Sequence, residues 1–265
     1  GDIPMRLRSV TLVLAFAAST LILAAQSLEP LRAKCDISPS SDGGKLSLHI
    51  FNDRDCPERQ HCGSDFSSEF MSRFNGVSLS DLARDGAHLT ATLKGEAGTF
   101  TCTGTVHDQD LYGDALFTPD SAFVDRMAKL GFTGYDSRKL QAYTLLDVTS
   151  DFARSLQQAN IKHVTTDNLI ALRIFKIDPS YAQGFVSMGY EQPDADKLIA
   201  LKVQGVNAEE VGKIRDLGFK PTLDELIQIR IFHITPEFVH RMQSRGLKDL
   251  TISKLVQIKI FKLDE

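Results

Sequence analysis

Between residues 28 and 117 apolar and polar positions alternate with a period of two, and from residue 118 onward the period becomes helical. In "KLSLHIF" Leu46, Leu48 and Ile50 share one face, in "HLTATL" Leu89, Ala91 and Leu93 do, and in "TFTCTGTV" Phe100, Cys102 and Val106 do. Alternation with Thr and aromatic residues predicts half-buried strands. "DGG", "KGEAG" and "HDQDLYG" read as the turns between them. "DFSSEFMSRFNG" is ambiguous: Phe66, Phe70 and Phe74 have helical spacing, but the stretch is short and Ser-rich, so it reads as strand or loop. The expected product is a small antiparallel β sandwich or barrel-like domain.

The helical half is a tandem repeat. "LQAYTLLDV", "LIALRIFKI", "LIALKVQGV", "LIQIRIFHI" and "LVQIKIFKL" begin at residues 140, 169, 198, 226 and 255, a period of 28–29 residues in five units. Each unit predicts two short helices. The first is capped at its N-terminus by Thr118, Thr149, Asp178, Asn207 or Thr235, with proline next at Pro119, Pro179 and Pro236. A capping oxygen satisfies free N–H groups there, and proline gives up nothing because its N–H would be unpaired. Gly131, Asn160, Gly189, Gly218 and Gly246 tolerate the left-handed position that ends this helix, and an apolar residue follows each. Asp136, Thr165, Asp194, Thr222 and Thr251 cap the second helix, with Asp167, Asp196 and Asp224 in its first turn, where the helix dipole favours acids. The second helix is apolar nearly all round: Leu169, Ile170, Leu172, Ile174, Phe175 and Ile177 demand cover on several sides, which stacked repeats provide. The fold class is thus α+β in two segregated parts, a β domain over 28–117 and an αα-repeat array over 118–265.

Residues 1–27 add a compartment. Met5 follows a scar or misplaced start at 1–4, Arg6 and Arg8 precede an apolar run over 10–25, and Ala24, Ala25 and Ser27 offer small residues for cleavage. This is the pattern of a secretory signal peptide; the run falls short of the roughly 20 residues of a spanning helix. A secreted or periplasmic protein with no membrane span after cleavage is expected, the alternative being an uncleaved membrane anchor. Export makes the four cysteines a disulfide framework. Cys35 and Cys102 lie on the apolar side of alternating stretches, and Cys56 and Cys62 sit close together in a polar loop, so Cys35–Cys102 and Cys56–Cys62 are the favoured pairs. Zinc at Cys56, His61 and Cys62 is disfavoured, since the spacing is not standard and a fourth ligand is not obvious.

Two stretches carry a resemblance. "LIALRIFKIDPSYAQGF" and "IRIFHITPEFVHRM" resemble bacterial tandem repeats with a consensus near "DDLVALRIHGVTPEFVRELRALGY". These occur in uncharacterised exported proteins and as tails of some BlaR/MecR-type sensor metallopeptidases. "EAGTFTCTGTVHDQDLYGDALFTPDSAFVDRMAKLGF" looks like the β module that often precedes them, with a pattern near "AGTFEFEGWFRDGRGSGHFTFTP". The resemblance covers nearly the whole chain after residue 27. It implies an exported protein and no reaction: the sensors' peptidase activity belongs to a zinc domain with H-E-x-x-H, and that motif is absent from this sequence.

Candidate chemistry is sparse. G-x-S-x-G and the Walker A pattern do not occur. Asp108, Asp110 and Gly113 begin like a calcium loop, but Tyr112 and Pro119 stand where ligands should be, so a hairpin turn is the better reading. His233 and His240 flank one joint and could titrate together, or simply be solvated. A net charge of −4 excludes a polycation that coats nucleic acid. The best candidate is a ladder: Arg173, Lys202, Arg230 and Lys259 occupy one column of the second helix in four consecutive units. A row of cations suits an extended anionic partner, an acidic protein segment or a cell-wall polymer. The competing reading is structural, with each cation favouring a helix C-terminus or pairing with a neighbouring acid. The β half holds 8 basic and 14 acidic residues against 20 and 19 in the array, an asymmetry that could dock the halves on each other. No cofactor is expected. The sequence therefore points to a non-catalytic binding protein of the bacterial cell envelope with a protein or anionic partner. An enzyme with a site in the β domain or at the junction, or a polysaccharide-binding structural component, are the alternatives.

Overall fold

A computed structural model describes residues 28–40, 46–51, 64–66 and 73–263, with 64–66 described through their backbone alone. The signal segment, the Cys56–Cys62 pair and His61 lie outside the described residues. Six strands form one antiparallel sheet: β1 (Leu31–Pro39), β2 (Leu46–Phe51), β3 (Ser64–Phe66), β4 (His88–Gly95), β5 (Gly98–His107) and β6 (Asp110–Pro119), in the order β3-β2-β1-β6-β5-β4. The alternation places Ile37, Leu48, Leu93, Phe100, Cys102, Leu111 and Phe117 in the core. Of the ambiguous Phe-rich stretch, Asp65 and Phe66 belong to β3, Phe74 packs edge-on to Phe100 at 6.0 Å, Asn75 bridges to Thr92, and residues 67–72 lie outside the described residues.

The expected sandwich or closed barrel is replaced by an open sheet, with β3 and β4 at its two edges. Period two says that one face is buried, not what buries it. Here a helix of the array, α3 (Ser137–Leu146), lies across β4, β5 and β6 and supplies the second layer. Strand β6 also departs from the expected turn. Only Asp108 and Gln109, with φ of 52° and 70°, make the hairpin, and "DLYGDALFTP" pairs along its whole length with β5.

The sheet bends sharply where β5 and β6 pair. Gly104 stands opposite Gly113, and Gly113 stands opposite Cys35 on β1. The disulfide between Cys35 and Cys102 therefore joins β1 to β5 over the intervening β6, with Cα atoms 6.0 Å apart. Two strand spacings in a flat sheet amount to roughly 9.5 Å. The bridge exists because the sheet folds over and because the β6 residues beneath its ends, Gly113 and Ala115, are small.

The array follows the predicted units. First helices are α2 (Ser121–Lys129), α4 (Ser150–Gln158), α6 (Pro179–Ser187), α8 (Ala208–Asp216) and α10 (Pro236–Ser244). Second helices are α3, α5 (Thr166–Ile174), α7 (Ala195–Val203), α9 (Leu223–Ile231) and α11 (Ile252–Ile260). A four-residue helix, α1 (Leu79–Leu82), lies in the β half. Thr149, Asp178, Asn207 and Thr235 cap first helices, and Asp136, Thr165, Asp194, Thr222 and Thr251 cap second helices, each accepting a backbone N–H three residues on. Gly131, Asn160, Gly189, Gly218 and Gly246 all have positive φ. One expected cap is corrected: Thr118 and Pro119 finish β6 against Thr99 and Gly98, and Asp120 caps α2. Proline is tolerated at the strand's last position, where no further ladder bond is asked of it.

Second helices end the same way, which the sequence concealed. Asp147, Lys176, Gly205, His233 and Lys262 take the left-handed conformation, and the next N–H reaches back five residues, as from Ile177 to the Leu172 carbonyl at 2.8 Å. Helices α3, α5, α7, α9 and α11 stack in succession, and one continuous apolar core runs from the sheet through the last unit. Among the described residues no helix is long and apolar enough to cross a membrane.

The caps carry a pH dependence. Asp194 is held below the usual carboxylate range, chiefly by the Lys197 N–H and further by the His163 ring, and Asp178 likewise, chiefly by the Ser180 hydroxyl. Carboxylates depressed on folding stabilise fully above their unfolded pKa, near 3.9, and lose that contribution as pH falls through the lower folded value. Denaturant unfolding should therefore show stability declining below about pH 4. The double variant Asp178→Asn/Asp194→Asn, which keeps both caps as Asn207 does, should flatten that decline. An unchanged acid limb would remove these two carboxylates as its cause.

Candidate functional site

Because each second helix runs straight into the next first helix, second-helix C-termini and first-helix N-termini line one edge of the array. The four ladder residues lie on this edge at equivalent positions of stacked helices. In the first unit the same position is Thr144, buried against the β half, where Gly95 lies within about 3.3 Å of it for an added Cβ.

Each ladder cation is anchored within the array. The Arg173 guanidinium donates to the Leu146 carbonyl at 3.2 Å and to Asp147 at 2.9 Å. Arg230 donates to the Gln204 carbonyl at 2.8 Å and to Glu210 at 3.3 Å. Both reach carbonyls at the C-terminus of the preceding unit's second helix, where a cation complements the dipole. Lys202 stands 4.5 Å over the Tyr181 ring and Lys259 4.1 Å over that of Phe238. The partner comes from a second column, the third residue of each first helix: Phe123, Phe152, Tyr181, Glu210 and Phe238. Where that column turns acidic, at Glu210, the contact becomes an ion pair with Arg230.

Recesses open beside two rungs at equivalent joints. One of about 320 Å³ is walled by Phe152, Leu172, Arg173, Lys176, Ile177 and Pro179. The other, about 90 Å³, is walled by Glu210, Ile229, Arg230, His233, Ile234 and Pro236. His233 is the left-handed residue after α9, while the His240 ring lies 3.2 Å from the Gln243 side-chain oxygen.

Polar contacts join the two halves at their junction. Glu96, between β4 and β5, accepts from the Ser150 N–H and hydroxyl at 3.1 and 2.7 Å at the start of α4. Arg73 pairs with Asp147 at 3.0 Å, and its guanidinium sits below the usual arginine range because burial outweighs the pull of Asp147. Asp147 thus holds both Arg73 and Arg173, tying the β half to the first rung. Tyr135 and Tyr143 cross edge-on at 5.6 Å, and burial pushes the Tyr135 hydroxyl up to about 12. Among the described residues no three His, Cys, Asp or Glu side chains gather as a metal site.

Sequence reasoning missed one column. Ile174 belongs to the stripe expected to be covered on several sides, but Ile174, Val203, Ile231 and Ile260, each the last residue of its helix, remain 49%, 51%, 49% and 52% exposed. Leu169, Leu172 and Ile177 of the same stripe are buried. Periodicity cannot separate these cases; the regular return of an aliphatic residue right after each cation was the available signal. Compared with known proteins, the chain matches no family model, no curated protein and no solved structure.

Proposed function

We propose that this chain is a non-catalytic binding protein of the bacterial cell envelope, secreted or periplasmic, with the joint edge of its repeat array as the binding surface and a role in envelope sensing. One observation carries this reading: a cation at the same position in four consecutive units, each held in place by its own repeat or the one before. Anchored charges cost little ordering on binding, and repetition along an array builds a long contact surface. The buried Cys35–Cys102 bridge supports an oxidising compartment. Affinity capture of envelope proteins and glycans on the intact protein tests the reading. A defined set of partners should be recovered, and the variant with Arg173, Lys202, Arg230 and Lys259 all changed to Ala should lose it. Equal recovery on both would remove the ladder, and no specific recovery on either would remove the binding role.

A further inference from the structure

We infer that the recess where α4, α5 and α6 meet is a small-molecule site for a zwitterion with an apolar side chain, a free α-amino acid of the leucine or phenylalanine type. This goes beyond the partner-binding role proposed above, because the ligand is a small molecule and the site a single joint. The recess measures about 320 Å³, and small ligands occupy pockets of about 300 Å³ or more. The sequence opens it at this joint and closes it at the others. Three residues after Phe152 stands Ser155, whose counterparts on the later first helices are Gly184, Lys213 and Arg241. Lys213 lines the equivalent recess beside Arg230, which is only about 90 Å³. At the joint between them Lys202 stands 4.5 Å over the Tyr181 ring, and in the last unit Lys259 and Arg241 both lie over Phe238. Arg173 is instead drawn to the preceding helix end, because the left-handed residue there is Asp147. The counterparts of Asp147 before the other rungs are Lys176, Gly205 and His233, and none of them is an acid.

The walls select the ligand. Phe152, Leu172, Ile177 and Pro179 form an apolar lining, and charges of both signs stand beside it, Arg173 and Lys176 with Asp178. Behind them Asp147 is shared between Arg173 and Arg73, and Lys202 acts on Asp178 from the next unit. A simple anion in the recess would meet Asp178, and a simple cation would meet Arg173. A zwitterion gives each an opposite partner. Arg173 donates to the array through Nε and Nη2, which leaves Nη1 to donate to a carboxylate. Asp178 accepts the Ser180 hydroxyl and the Tyr181 N–H on Oδ1 alone, which leaves Oδ2 to accept from an ammonium. Charge-assisted bonds of this kind are about twice as strong as neutral ones. The Ser155 hydroxyl is committed to the Phe152 carbonyl at 2.8 Å, so Ser155 makes room for the ligand's side chain and takes no part in holding its charges.

Isothermal titration of the full chain with L-leucine and L-phenylalanine tests the site, beside leucinamide and N-acetyl-L-leucine, each of which keeps one of the two charges. At least one of the amino acids should bind with a Kd below about 1 mM, and both single-charge analogues should bind at least about tenfold more weakly. Ser155→Lys, which places at this joint the side chain found at 213, should abolish binding by filling the recess. Asp178→Asn keeps the α6 cap and should weaken the amino acid by at least about tenfold without weakening N-acetyl-L-leucine. That change of selectivity is read within one protein, so it decides the matter even if Ser155→Lys melts early. No binding of either amino acid at about 10 mM, equal binding of leucinamide or N-acetyl-L-leucine, or unchanged binding by either folded variant overturns the inference.

Discussion

Replacing Cys35 and Cys102 together by alanine is expected to lower the stability of the folded chain by about 4 kcal/mol. The bridge closes a loop with a sequence separation of 67 residues, and releasing such a loop in the unfolded chain returns entropy of that size. Both cysteines are fully buried, so two small voids add to the loss. The position of the bridge directs the effect. It clamps β1 to β5 across β6, on the three strands at the centre of the sheet, and α3 packs on two of these, β5 and β6. The first unit of the array should therefore weaken with the sheet. Later units, which touch only their neighbours, should hold their helices to higher denaturant. Urea unfolding followed by near- and far-ultraviolet dichroism, with the reduced wild-type protein beside the variant, measures both parts. A shift below about 1 kcal/mol would mean that sheet packing alone holds β1 over β5.

Gly113→Ala should be as damaging, through backbone collision and not chain entropy. A Cβ at Gly113 would lie 2.0 Å from the Thr103 carbonyl oxygen and 2.6 Å from the Gly104 Cα. At Gly104 it would lie 1.9 Å from the Tyr112 carbonyl oxygen. These are main-chain atoms of the β5–β6 ladder, so no side-chain rotation relieves the clash. Ordinary overpacking costs about 1–3 kcal/mol; here the strands must part at the bend, so the loss should reach or exceed the upper end. Gly184→Ala is the control. It lies within α6 with nothing inside 4 Å of the added carbon, and should stabilise by up to about 1 kcal/mol. Thermal melts of the two variants moving in opposite directions are the expected result. A Gly113→Ala protein that melts with the wild type would show that the bend tolerates a side chain.

What could be read along the chain was local. Capping residues, left-handed glycines and the 28–29-residue return placed the five helix pairs, because each device acts within a few residues of itself: Thr235 caps α10 through the Phe238 N–H, and Gly246 ends it. Alternation placed β2, β4 and β5 for the same reason, and the pairing of Cys35 with Cys102 followed from two buried faces. The exception among local features is Pro119, whose strand position depends on its pairing with Gly98 on the neighbouring strand.

The tertiary structure decided everything that needs a neighbour from another segment. That the sheet stays open was set by α3 arriving to cover it. That Gly104 and Gly113 are a fold line and not turn residues was set by their standing opposite each other. Arg173, Lys202, Arg230 and Lys259 share a column in the sequence, yet whether a rung meets a carbonyl, a carboxylate or a ring depends on the neighbouring unit and on the residue at 152, 181, 210 or 238. Ile174 and Leu172 are equally apolar and two residues apart, and only stacking buries one and leaves the other at the edge. Sequence determines which residues need burial or charge compensation; the packing of distant segments determines which needs are met inside the molecule and which are left facing outward.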